Sequence, residues 1–225
     1  LDLDEAPFDE VQDSLEDVRL VNRYLGGYRV LLYYIRNFIK RHPLDKEFLV
    51  LDLATGSADQ PIVVVDMARQ LNVKIKVVAL DINSKMLNYA HEKIRAYPEI
   101  HLVQGDIHSP PFGENSFDVV MNSLSLHHFT RIQAVNILRM ADLVSRSGFI
   151  INDLHRSRIA HAFILILTRL VTKNRLTRHD APVSVMNAFT PSEMAEMAQE
   201  AGVKCFTVNR HFPYRIGLVS TRKDY

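Results

Sequence analysis

"VLDLATGSAD" (50–59) decides how the rest of the chain is read. An apolar run over 48–51 ends on Asp52, and Ala54, Gly56 and Ala58 then alternate with other residues before Asp59. The pattern predicts a strand running into a small-residue turn that opens a helix. A dinucleotide-binding turn places Gly-x-Gly-x-x-Gly here, so that the helix N-terminus faces a pyrophosphate. Those three positions hold Ala54, Gly56 and Asp59. An aspartate facing a pyrophosphate is repulsive, whereas it favours a cationic ligand. A phosphate-binding P-loop is excluded because no lysine follows the turn.

Outward from this turn, short apolar runs alternate with helical patterns, the signature of an α/β domain with a largely parallel sheet. Strands are expected at 48–53, 76–81, 101–104, 117–121, 148–153, 204–209 and 214–220. Asn83 is placed to cap a helix whose apolar face holds Leu87, Ala90 and Ile94. Thr190, Pro191 and Glu193 spell a capping box with proline at the first helical position, and Gly202 stops that helix. Two regions stand outside the alternation. An N-terminal arm (1–45) reads as two helices broken at Gly26-Gly27, and 155–188 reads as a helical lid insertion over the sheet edge. No linker or repeat divides the chain, so 1–225 is expected to be a single domain.

Composition narrows the function classes. With 225 residues, 47% hydrophobic, the chain is long enough for a substantial core. A formal net charge of +1 offers no electrostatic argument for nucleic acid. The sole cysteine, Cys205, excludes internal disulfides and cysteine-cluster metal sites. The acidic start "LDLDEAPFDE" has no basic region followed by an apolar stretch, so a cytoplasmic protein without a signal peptide is expected. The longest apolar segment, "IAHAFILILTRLV" (159–171), is too short to span a bilayer, which takes about 20 residues.

Asp52, Asp81 and Asp106 each fall at or just beyond the end of an expected strand. In a parallel sheet those ends share one edge, where ligands bind, so the three carboxylates line one crevice. A nucleoside explains the set. The turn Ala54-Thr55-Gly56-Ser57-Ala58 brings backbone close to the ligand, Asp81 accepts from both ribose hydroxyls, and Asp106 accepts from an adenine amino group.

These motifs, "VLDLATGSAD", "VVALDINSKMLNYAHEK" (77–93), "VQGDIHSPPFGENSFDVVMNSLSLHHF" (103–129) and "SGFIINDLHRS" (147–157), resemble those of the class I S-adenosylmethionine-dependent methyltransferases. The resemblance runs from about Phe48 to Ser220. Ala54 in place of the first glycine is similar to the branch containing the ubiquinone and menaquinone C-methyltransferases, and Ala58 in place of the third is a further departure. The resemblance implies a Rossmann-like seven-stranded sheet of order 3-2-1-4-5-7-6 with the last strand antiparallel. It implies S-adenosyl-L-methionine as cofactor, held by Asp52, Ala54, Thr55, Gly56, Asp81, Ile82, Met86, Asp106, Ile107, Asn122 and Ser123. "LVNRYLGG" (20–27), "NDLHRS" (152–157) and "RHDAPVSVMNAFT" (178–190) are similar to a bacterial subgroup of small-molecule methyltransferases of polyketide or aromatic secondary metabolism.

The expected reaction is methyl transfer to a small, partly hydrophobic acceptor, with a phenolic or polyketide-like hydroxyl preferred. Carbon methylation in quinone-type biosynthesis and a non-catalytic nucleoside-binding domain are the alternatives. Alignment of the acceptor and exclusion of water carry such a displacement, and a phenol gains from a base. His155, just beyond the fifth strand, is the preferred base. His127 and His128 in "SLSLHHF" and His179 beside Asp180 are the other candidates. No metal-ligand spacing is present, so a metal-independent enzyme is expected. The fourth strand ends in "NSLSL" (122–126) rather than in the Asn/Asp-Pro-Pro-aromatic motif of amino-directed nucleic-acid enzymes. The expected partners are therefore a small-molecule substrate and no nucleic acid, with a homodimer as the candidate assembly.

Overall fold

The computed structural model of the protein describes residues 8–43 and 45–222, so the start of the acidic stretch, residues 1–7, lies outside it. Seven strands, β1 (Phe48–Leu53), β2 (Ile75–Asp81), β3 (Ile100–Gln104), β4 (Phe117–Ser123), β5 (Ser145–Leu154), β6 (Phe206–His211) and β7 (Arg215–Ser220), form one sheet. Its order is β3-β2-β1-β4-β5-β7-β6, with β7 antiparallel to both neighbours, which bears out the expected topology.

The strand ends differ from the expected ones for local reasons. β5 begins three residues early, because the β4–β5 register shifts between Phe117 and Val119 and lets Ser145 pair with Phe117. The shift passes through Gly148, at φ +143°, where an added Cβ would lie 2.0 Å from the Ser220 carbonyl oxygen. β6 starts at Phe206 rather than 204, since its ladder with β7 runs from Phe206 opposite Ser220 to His211 opposite Arg215.

Successive side chains leave a strand on opposite faces, so each strand feeds two cores. Val50, Val77, Val119 and Ile150 pack under α2 (Gly27–Ile39), α3 (Asp59–Gln70) and α4 (Ser84–Lys93). Leu51, Val120, Phe149, Ile151 and Leu218 pack under α5 (Arg131–Val144) and α8 (Pro191–Glu200). Each such fully buried aliphatic side chain contributes about 1.5–3 kcal/mol. The caps read from the sequence are present. Asn83 accepts from the N–H groups of Lys85 and Met86, the Thr190–Glu193 box closes, and Gly202 adopts φ +83° beyond α8. A second capping box, Thr130 with Gln133, starts α5; the sequence reading passed over it.

The N-terminal arm forms α1 (Phe8–Tyr24) and α2, broken at Gly26 with φ +79°. The segment beyond β5 forms α6 (Arg158–Val171) and α7 (Arg175–Asn187), whose inner residues Ala160, Ile164 and Val185 pack on Leu154 and Tyr214. Arm and insertion meet. Glu10 pairs with Arg175 at 2.7 Å, and the Asp17 carboxylate accepts from the hydroxyls of Thr172 (2.6 Å) and Thr177 (2.8 Å). Both close over the sheet edge where β1, β2, β4 and β5 end. Among the described residues no helix is long and apolar enough to cross a membrane.

α2 lies against β7 through one close contact. The Tyr34 ring covers Gly217, where an added Cβ would stand 2.6 Å from the ring and 2.9 Å from its hydroxyl. Gly217→Ala is therefore expected to cost about 1–3 kcal/mol by overpacking. The melting temperature should fall by several degrees, at roughly 2–4 °C per kcal/mol for a domain of this size. A melting curve that matches wild type would show that Tyr34 does not press on β7.

Candidate cofactor and acceptor site

The turn after β1 keeps a glycine-like backbone although two of its glycine positions hold alanine. Ala54, Gly56 and Ala58 stand at φ +57°, +56° and +58°, in the left-handed region. For a residue with a Cβ that conformation costs about 1–2 kcal/mol, so the turn is held by its surroundings. Thr55 N–H donates to Leu80 O (2.9 Å), and Ala58 N–H donates to Thr55 O (3.1 Å). Gly56 N–H donates to Asp81 Oδ2 at 2.8 Å, while Asn83 N–H donates to Asp81 Oδ1 at 2.9 Å. A Cβ added at Gly56 would meet nothing within 4 Å, so the turn faces open space.

Asp59 opens α3 and is fixed by the N-terminal arm, accepting from the Tyr28 hydroxyl at 2.8 Å and from Asn22 Nδ2 at 3.4 Å. Burial, and then the Asp59 charge, push the Tyr28 hydroxyl well above the ordinary tyrosine range, so it stays a donor. The positive end of α3 is thus already met by a carboxylate, which suits a ligand lacking phosphate.

Below the turn Asp52 is fully buried, and its Oδ2 has no hydrogen-bond partner; neither has the buried Thr55 hydroxyl oxygen. Burial pushes the Asp52 carboxyl up to about 8, opposed by the polar Thr55 hydroxyl nearby and aided by the charges of Asp59 and Asp81. An unmatched carboxyl oxygen under an open turn is the kind of group that a bound cation relieves. Asp81 has a free lone pair left on each oxygen after its two backbone bonds, as two ribose hydroxyls require. The residues present therefore fit a cationic nucleoside such as S-adenosylmethionine.

The other cofactor candidates are placed as follows. Ile82 is exposed beyond β2, and Met86 is buried in the first turn of α4. Asp106 is exposed and accepts from His108 N–H at 2.8 Å, with Ile107 buried beside it. Asn122 is fully buried and donates to Leu53 O (2.7 Å) and the Ser125 hydroxyl (2.5 Å), tying the end of β1 to the turn after β4. Its Oδ1 has no partner. Ser123 Oγ accepts from Asn152 Nδ2 at 3.4 Å.

The four histidines have unlike settings. His127 lies in the single 3-10 turn Leu126–His128 that follows β4, its side chain buried against Asp153 at the end of β5. Nδ1 stands 2.6 Å from Asp153 Oδ1, and the His127 backbone N–H donates to Oδ2 at 3.1 Å. Burial works to raise the Asp153 carboxyl, but the His127 ring and the backbone N–H groups of Leu154 and His127 outweigh it and hold it below the ordinary carboxylate range. An ionised carboxylate only accepts, so we assign the proton to Nδ1, which leaves Nε2 as the ring's acceptor nitrogen. Behind Asp153 lies Arg215, 1% exposed, whose Nη2 donates to Asn22 Oδ1 at 3.1 Å. Burial pushes this guanidinium down to about 10, opposed by the Asp153 charge.

His128 keeps a solvent-exposed side, yet its ring lies 4.2 Å from that of His127. Desolvation, then the His127 charge, push it down to about 4. His155 is half-buried, its backbone N–H donating to Tyr214 O at 2.9 Å, and its ring is lowered by desolvation and then by Arg210. His179 is exposed on α7, 3.0 Å from Asp180. The structure thus brings His127 and His128 together with Asp153, and leaves His179 outside. Asp153, Arg215, Asn22 and Tyr28 escaped the sequence reading. Asp153 carried a readable signal, being a fourth strand-end carboxylate, on the strand two sheet positions from β1. Among the described residues no group of three or more His, Cys, Asp or Glu is placed to hold a metal ion.

A family model described as a methyltransferase domain matches residues 50–148. A demethylmenaquinone methyltransferase of Lactobacillus johnsonii is 34% identical over 96 residues, 41% of this chain and 38% of that protein. One of Thermotoga maritima is 26% identical over 168 residues, 68% of this chain and 69% of that protein. The chain thus spans well under two thirds of the first of these relatives. A SAM dependent methyltransferase from Aquifex aeolicus has a solved structure of the same fold, with TM-score 0.59, 17% identity, and coverage of 82% of this chain and 87% of that one. Together these matches bear out the resemblance read from the motifs.

The buried Asp52 sets a pH dependence of stability. Its folded pKa of about 8 lies above the ordinary carboxylate value, so the folded chain retains a proton that the unfolded chain has released. Its contribution is fully present below about pH 4 and is lost as pH rises towards 8. In the ligand-free protein, melting temperatures of Asp52→Asn should fall less than those of wild type between pH 5 and 8. Parallel curves would show that Asp52 is ionised in the folded state throughout.

Proposed function

We propose that this chain, a class I S-adenosylmethionine-dependent methyltransferase by its fold and its matched domain, methylates a small, partly hydrophobic aromatic acceptor bearing a phenolic hydroxyl. The observation that carries the acceptor class is the buried His127–Asp153 pair on the ligand edge of the sheet. S-adenosylmethionine supplies an electrophilic methyl group on a sulfonium. Asp81 would accept from the ribose hydroxyls, Asp106 from the adenine amino group, and the turn 54–58 would hold the methionine part. Asp52 beneath that turn, protonated in the free protein, would release its proton to meet a cationic ligand.

On the acceptor side, His127 Nε2 takes the phenolic proton, and Asp153 stabilises the imidazolium that forms. The resulting phenolate would be the nucleophile for that methyl group, a new O–C bond forming as the bond from carbon to sulfur breaks. The described part of the arm (8–43) and the insertion (155–188), two parts of what we read as a single methyltransferase domain, close over this edge and keep water away. His155 follows β5 on the same edge, where desolvation and then Arg210 lower its ring below the ordinary histidine value.

Oxygen methylation fits a phenolic or polyketide-like acceptor of secondary metabolism. A second reading is favoured by the names of the two curated relatives, both demethylmenaquinone methyltransferases. In it the same deprotonation makes a hydroquinone ring carbon nucleophilic, and that carbon loses its hydrogen as a proton after methylation. Both readings use the same base and differ in the atom that receives the methyl group.

Thermal shift with S-adenosylhomocysteine should raise the melting temperature by several degrees, and Asp81→Ala should lose that rise. His127→Ala should keep it while turnover on simple phenols and hydroquinones falls about 10²–10⁴-fold. NMR of the product separates O-methyl from C-methyl. Full turnover in His127→Ala with loss in His155→Ala would move the base to His155, and no shift with S-adenosylhomocysteine would refute the cofactor reading.

A further inference from the structure

α6 has two faces. Ala160, Ile164 and Thr168 are buried against α7 and the sheet edge. On the opposite face Ile159, Phe163, Ile166 and Leu170 are exposed, at 70%, 41%, 62% and 78%. Their spacing of four, three and four residues sets them within about 60° of one another round the helix, a stripe roughly 17 Å long. Four large apolar side chains in one row exceed the scattered exposure that a monomer surface tolerates.

Charge says what covers them. Over residues 155–179 the sequence holds Arg156, Arg158, Arg169, Lys173, Arg175 and Arg178 and no Asp or Glu, in a chain whose net charge is only +1. Arg156 and Arg175 pair with Glu193 and Glu10, and Arg178 donates to the backbone oxygens of Thr172 and Arg169. Arg158, Arg169 and Lys173 are exposed and make no ion pair among the described residues. Arg158 and Arg169 border the stripe on one side, about 90–110° round the helix from its centre. A second copy docked stripe to stripe would set these cations against each other. An anionic lipid surface complements both features, since it accepts the apolar side chains and neutralises the arginines.

We propose that α6 lies in the headgroup region of an anionic bilayer, with Ile159, Phe163, Ile166 and Leu170 immersed and Arg158, Arg169 and Lys173 on the lipid phosphates. At 14 residues the helix lies on the surface and does not cross. The inference is independent of the methyl-transfer reading, because its readout needs neither cofactor nor acceptor.

The test is flotation of the full chain with vesicles of phosphatidylglycerol and phosphatidylcholine, against phosphatidylcholine alone. Binding is expected on the anionic vesicles and should weaken as salt is raised. Ile166→Glu with Leu170→Glu should reduce partitioning by at least about tenfold, and so should Arg158→Ala with Arg169→Ala and Lys173→Ala, at roughly fivefold per cation removed. Melting temperatures show that the variants fold, and the exposed charge variant carries the test should the double glutamate variant not fold. Wild type that stays with the unbound protein would overturn the proposal. So would binding unaffected by either set of changes, or a wild-type dimer that the glutamates convert to monomer.

Discussion

A guanidinium with 1% of its surface exposed is costly in a protein interior unless its charge is met and its N–H groups are taken up. Arg215 meets that demand only in part: Nη2 donates to Asn22 Oδ1 and the Asp153 charge offsets some of the desolvation, while Nη1 is buried with no hydrogen-bond partner, and through these neighbours it relates four parts of the chain. Arg215 begins β7, Asp153 ends β5, Asn22 belongs to α1, and His127 follows β4. Removing Asp153 would leave the buried Arg215 charge without the carboxylate that offsets its desolvation, a loss of the kind that typically costs about 3–5 kcal/mol. The network therefore fixes where the arm sits on the sheet edge. It also determines that the His127 imidazole presents Nε2, because the carboxylate at its back can only accept.

The same arm fixes the turn after β1. Tyr28 on α2 and Asn22 on α1 both reach Asp59, one residue past the left-handed Ala58. Asn152 on β5 donates to Gly27 O at 3.0 Å, close to the break between the two helices. Strain in the turn and buried, unmatched oxygens on Asp52, Thr55 and Asn122 thus gather at one edge of a sheet whose two cores are otherwise conventional. Strain and unmet polar groups persist where surrounding contacts over-determine them, and they gather where a ligand binds.

Most of the fold was legible because two periodicities carry it. Alternation along the strands and helical spacing in α4 and α8, with caps at Asn83 and Thr190, follow from local chemistry that a linear sequence displays. The ends of β5 and β6 were not legible, since a register shift at Phe117 and a ladder with β7 are properties of pairs of strands. The site divides in the same way. Asp52, Asp81 and the turn could be placed because each follows a strand directly. The setting of His127 could not, because its partner Asp153 is 26 residues away and Arg215 is further still. From sequence His155 stood out by lying next to a strand end, whereas the structure gives His127 a buried, hydrogen-bonded carboxylate.

Function at this edge draws on two kinds of surface with opposed requirements. Cofactor and base need polar groups held in a dry, rigid setting, which the sheet ends and the Arg215 network provide. The partly hydrophobic acceptor proposed above needs an apolar approach, which the segment between β5 and α8 can offer. α6 and α7 begin directly beyond Asp153 and pack their inner faces on Leu154 and Tyr214, so the apolar wall is anchored to the strand that carries the carboxylate. Its outer face is free to vary without disturbing the base. A chain of near-zero net charge that concentrates six cations over 155–179 keeps its catalytic edge and its outward surface electrostatically distinct.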